Sequence, residues 1–152
     1  MYFMDINKLK AELISEKLSE EDSFGYLFFS ILIIFVPVGE VDSYNNADNI
    51  ASYIVIGIII IGLYYVFHCN GGKNGCHFLS RYISISFVVL FRTVVFFFIP
   101  AAFALIIIED VFMGGVPDET TIYEAILFVA LFLVYYLSIG KHIKDVALRY
   151  KA

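Results

Sequence analysis

Polar stretches of this chain alternate with four apolar ones, residues 24–38, 50–68, 78–108 and 122–139, and within those four the only charged residues are Arg81, Arg92 and Glu124. Apolar runs of this length are the mark of transmembrane helices. The first run is short: at about 1.5 Å per residue it extends only about 22 Å, against a hydrocarbon core of roughly 30 Å. It must recruit residues before Phe24 or thin the bilayer locally, and Pro37 to Gly39 ends it. The second run has Asp48 or Asn49 as its expected cap. The third is longer than a straight crossing needs, which predicts tilt or a kink at Pro100, whose missing N–H strands the carbonyl of Phe96. The fourth opens with a capping box, Thr121-Ile122-Tyr123-Glu124, after a Pro117–Asp118 turn.

Ahead of these runs, residues 2–22 read as an amphipathic helix. Ile6, Leu9, Leu13 and Ile14 share a face with Leu18 at its edge, Asp5 is positioned to cap, and Lys17 with Glu21 forms an i,i+4 pair. Glu outnumbers Lys on the polar face, so this is not a basic helix drawn to anionic lipid. Its apolar face is expected to pack on the ends of the spans or on a partner. The expected fold is all-α: a polytopic membrane protein of one domain, residues 1–152, with four transmembrane helices and an N-terminal cytoplasmic amphipathic helix.

Charge supplies the orientation. Of ten Lys and Arg, nine lie in segments on one side of the predicted spans: Lys8, Lys10, Lys17, Lys73, Arg81, Lys141, Lys144, Arg149 and Lys151. The tenth, Arg92, lies inside the third span. The remaining two loops carry no cation, only Glu40, Asp42, Asp48, Glu109, Asp110, Asp118 and Glu119. By the positive-inside rule both termini are cytoplasmic. Composition agrees: 61% of residues are hydrophobic, above the roughly 45–50% of soluble domains, and a chain this small could not bury so much apolar surface in water. The expected partner is a lipid bilayer, on composition a bacterial inner membrane. No basic run exists to bind nucleic acid, and no signal peptide is recognisable.

Two features are candidates for chemistry. Arg92 is placed about ten residues into the third span, near mid-depth, where a charge costs from about 2.5 to more than 10 kcal/mol and by default faces a bundle interior or water. No Asp or Glu is deep enough to pair with it. Its candidate surroundings are Phe96, four residues on, Pro100, Tyr64 and Tyr136. The competing reading is that Arg92 snorkels to the cytoplasmic interface or glues helices through hydroxyls and carbonyls. The second feature is the run His68-Cys69-Asn70-Gly71-Gly72-Lys73-Asn74-Gly75-Cys76-His77. His68, Cys69, Cys76 and His77 are zinc-type ligands, although the spacing is not that of a finger, and the competing reading is a tight glycine turn. No cofactor is expected unless that zinc is real. Ser80 with Ser84, Ala101 with Ala104, and Gly57 with Gly62 are small-residue pairs that permit close helix approach, and Arg81 with Tyr82 reads as an interface anchor.

No nucleophile–base set, intramembrane carboxylate pair or phosphate loop is visible, so an enzyme is not expected. The reading that gives a buried, unpaired arginine a role is a homo-oligomeric ion channel or pore, a membrane-disrupting effector included, with Arg92 in or near the conduction path. The alternative is a non-catalytic membrane subunit or sensor that docks a cytoplasmic protein through its N-terminal helix and the His68–His77 loop.

Overall fold

A computed structural model describes residues 4–15, 18–35, 45–115, 119 and 121–150. All regular structure among them is helical: α1 (Ile6–Ser15), α2 (Glu20–Phe35), α3 (Asn46–Cys69), α4 (Phe78–Thr93), α5 (Ile99–Met113) and α6 (Ile122–Tyr150). A single 3-10 turn, Gly72–Asn74, lies between α3 and α4, and a π-helical turn, Val94–Phe98, joins α4 to α5.

Among the described residues, three helical stretches are long and apolar enough to cross a membrane: Asn46–Cys69 (24 residues), Phe78–Phe112 (35 residues) and Ile122–Tyr150 (29 residues). The 16 residues of α2 fall short of the roughly 20 a span requires. The expected stop at Pro37–Gly39 lies outside the described residues, as do Lys17 and the Pro117–Asp118 turn.

The helix expected over residues 2–22 is interrupted. Asp5 caps α1 by accepting from the Lys8 N–H at 3.1 Å. That bond, with the Lys8 charge behind it, holds the Asp5 carboxyl below its ordinary range. Ser19 then starts α2 afresh, its hydroxyl accepting from Asp22 N–H at 3.0 Å. The cap of α3 falls on Asn45: its side chain accepts from Asp48 N–H at 3.1 Å, and Asp48 returns a bond to Asn45 N–H at 3.1 Å. Pro100 is absorbed by the π turn that precedes it. Ile99 N–H donates to the Val94 carbonyl, five residues back, so the wider register redistributes the bonds around the proline's missing donor. The last helix runs 11 residues past Ile139, because Ile143, Val146 and Ala147 bury one face while Lys141, Lys144 and Arg149 stay exposed on the other.

α3 and α6, far apart in sequence, are the main packing pair and run parallel. Tyr136 sits on Gly62, and Tyr65 on Gly140. α6 also packs on α4, which in turn carries α2 on its far side. Ser23 and Ser80 hydroxyls lie 3.4 Å apart across the α2–α4 contact, and the Tyr26 and Phe87 rings meet there at 5.9 Å. α1 lies across α4 and α6, and Lys10 donates to the Asp145 carboxylate. Leu9, Val66, Ile85, Val88, Ile139, Ile143 and Val146 are fully enclosed. This core fills the half of the molecule that carries the lysines. In the opposite half Tyr53, Phe103, Phe112 and Ile126 are exposed, an arrangement stable only where lipid or another protein surface covers them.

Candidate functional site

The glycine-rich turn is built around a buried polar pair. Asn70 closes α3, its N–H bonding to the Val66 carbonyl at 3.1 Å, and is 1% exposed. Its side chain works in two directions: Nδ2 donates to the Cys76 carbonyl at 3.1 Å, and Oδ1 accepts from Arg81 Nη1 at 3.0 Å. Arg81 is 2% exposed and lies 4.6 Å from the centre of the Tyr150 ring, so it is an internal cation, not the interface anchor its position in the sequence indicates. The chain can close this tightly because Gly75 has no side chain: a Cβ there would fall 2.3 Å from the Asn70 carbonyl oxygen. Gly71 and Gly72 take positive φ values of 100° and 58°.

The same turn separates the four zinc-type ligands. His68 and Cys69 are adjacent on a helix and therefore diverge by about 100° around its axis. His68 Nδ1 is 3.1 Å from the Tyr64 carbonyl, with the two rings 4.2 Å apart, while the His77 ring lies 5.8 Å from that of Tyr150. Cys69 is half-buried and Cys76 exposed, both as free thiols. Among the described residues, no three His, Cys, Asp or Glu side chains come together as a metal site.

Arg92 is in the last turn of α4, one residue before its end at Thr93, and is exposed. Among the described residues it makes no hydrogen bond or ion pair. It lies within electrostatic reach of His142, as do Lys10, Lys141 and Asp145. His142 is twenty residues into α6, about 30 Å along its axis. Phe96 and Pro100 are exposed beyond Arg92. Tyr64 is 65% exposed, whereas Tyr136 is 7% exposed and committed to Gly62. No hydrogen bond or ring contact among the described residues joins either tyrosine to Arg92.

At the opposite end the capping box of α6 forms as its sequence dictates. Thr121 N–H donates to Glu124 Oε2 at 2.7 Å, and Glu124 N–H lies 3.3 Å from the Thr121 hydroxyl. Thr121 also reaches back to α5, its hydroxyl donating to Glu109 Oε1 at 2.6 Å. Glu109 is 1% exposed, and among the described residues its Oε2 has no hydrogen-bond partner. Sequence reasoning treats Glu109 as the end of a span and Asn70 as part of a turn. Both are buried by tertiary contacts that no local pattern signals.

Comparison with known proteins gives no match to a protein family, to a curated protein or to a solved structure.

Proposed function

We propose that this protein is an ion channel assembled from several copies, crossing the membrane four times with both termini cytoplasmic. In this reading the apolar run at residues 24–38 makes the fourth crossing. The observation that carries the proposal is Arg92, an exposed charge without a partner among the described residues, in the middle of a helical stretch of 35 residues whose other charged residues, Arg81, Glu109 and Asp110, lie near its ends. An arginine facing hydrocarbon costs at least about 2.5 kcal/mol, so its surroundings in a membrane are water or protein. Repeated around an oligomer, and joined by the exposed Lys141, it makes a cationic constriction that favours anions. The exposed apolar residues of α3, α5 and α6 provide surface for association.

The docking-subunit reading takes an apolar face of the N-terminal helix, together with the His68–His77 loop, as the docking surface. Leu9 and Leu13 are 0% and 4% exposed within the chain's own core, which takes support from that reading.

Flux through liposomes containing purified protein, with separate anion and cation gradients, tests the proposal. Anion flux is expected from wild type, with Arg92→Ala losing the anion preference and Arg92→Glu reversing it. Silence from intact oligomer of wild type, under both gradients and under applied voltage, contradicts it.

A further inference from the structure

We infer that Glu109, Thr121 and Glu124 form a binding site for a hard divalent cation of the calcium or magnesium type, at the junction of α5 and α6. Glu109 is enclosed to 1% exposure, yet only one of its carboxylate oxygens is bonded, to the Thr121 hydroxyl. The other, Oε2, is buried and has no hydrogen-bond partner among the described residues. A buried carboxylate oxygen left unpaired is costly, and the free energy is recovered when a cation or proton reaches it.

The chain itself cannot supply that cation. No Lys or Arg occurs between Arg92 and Lys141, so along the helices every basic side chain is at least 17 residues from Glu109 or Glu124. That separation amounts to about 25 Å of helix, beyond direct pairing. A second carboxylate lies beside it: Glu124 Oε2 is 3.3 Å from the same Thr121 hydroxyl. The hydroxyl proton goes to Glu109 Oε1 and the Thr121 N–H to Glu124 Oε2, so neither donor serves Glu109 Oε2. Two carboxylates and a hydroxyl oxygen supply two negative charges and an all-oxygen donor set, the preference of hard divalent cations. The neighbouring exposed Asp110 and Glu119 raise the local cation concentration.

The inference does not depend on the channel proposal, and its test reads binding, not flux. Equilibrium dialysis of the full-length protein in mild detergent, with radioactive calcium at constant ionic strength and neutral pH, measures the stoichiometry. Magnesium competition and thermal melting by circular dichroism accompany it. One saturable cation per chain is expected, with a matching rise in melting temperature. Glu109→Gln and Glu124→Gln should each weaken the apparent affinity at least about tenfold, since each removes a ligand charge, while Thr121→Ser and Asp110→Asn retain it. Should Glu109→Gln fail to fold, Glu124→Gln against Asp110→Asn makes the same comparison. No saturable calcium or magnesium binding by wild type overturns the inference, as does unchanged binding by a folded Glu124→Gln variant. Stabilisation by acid alone, without any bound cation at neutral pH, assigns the missing partner to a proton and also overturns it.

Discussion

The Tyr65 ring occupies the space that a side chain at residue 140 would need: a Cβ built on Gly140 would fall 2.1 Å from Tyr65 Cε1. Tyr136 and Gly62 repeat the arrangement in the opposite direction, with a Cβ 2.4 Å from the Tyr136 ring. Each of the two parallel helices thus contributes one glycine and one tyrosine to a reciprocal contact that fixes their register. Gly57, on the same helix as Gly62, has nothing within 4 Å of its Cβ position.

Alanine at residue 62 or 140 is therefore expected to overpack the α3–α6 contact, with a loss of about 1–3 kcal/mol. Alanine at residue 57 removes a helix glycine in open space and should be neutral or slightly stabilising. Denaturation of detergent-solubilised protein by increasing SDS separates the three variants, and equal behaviour of Gly57→Ala and Gly140→Ala would remove the register argument.

The α3–α4 turn is expected to loosen when Asn70 is truncated. Asn70→Ala takes away the hydrogen bond to Arg81 Nη1 and leaves a buried guanidinium unserved, at a cost of about 1.5–3 kcal/mol. Lys73, exposed at the tip of the turn, reports the change directly. Tryptic cleavage after Lys73 should accelerate in Asn70→Ala and in Gly75→Ala, and should stay near the wild-type rate in Asn74→Ala, whose side chain is exposed.

α1 should behave as part of the core. Leu9→Ala is expected to destabilise by about 2–5 kcal/mol, as for other fully enclosed leucines. Reversing either charge of the Lys10–Asp145 pair should weaken the docking of α1, and the double exchange Lys10→Asp with Asp145→Lys should recover part of the loss. A measured double-mutant cycle with no coupling would detach α1 from α6.

Thiol labelling tests the proposed orientation. Cys76 is exposed and Cys69 half-buried, so an impermeant maleimide should modify Cys76 first. In vesicles of defined sidedness it should do so only from the cytoplasmic face.

Much of this architecture is legible in the residues. The charge-free run at 50–68 and the Thr121–Glu124 box each obey short-range rules of hydrophobicity and capping, and the structure has α3 and α6 there. The break between α1 and α2 shows in the sequence only as the five-residue step from Leu13 to Leu18 and as Ser19, both of which also fit the edge of one continuous amphipathic helix. Arg81 and Glu109 were misjudged for a different reason. Each lies near the end of an apolar run, where charge is ordinarily solvated. What buries them is the tail of α6 in one case and the α5–α6 junction in the other. Gly62 stood out as a small residue among several, and only its tyrosine partner on α6 distinguishes it from Gly57.

The central claim is that Arg92 faces the water path of an oligomer. Its most direct test is an Arg92→Cys variant in a Cys69→Ser, Cys76→Ser background, reconstituted in planar bilayers and treated with charged methanethiosulfonates from the cytoplasmic side. The account predicts weakened anion preference in the variant, restored by the positively charged reagent and not by the negatively charged one. Currents with wild-type selectivity that neither reagent alters would contradict it.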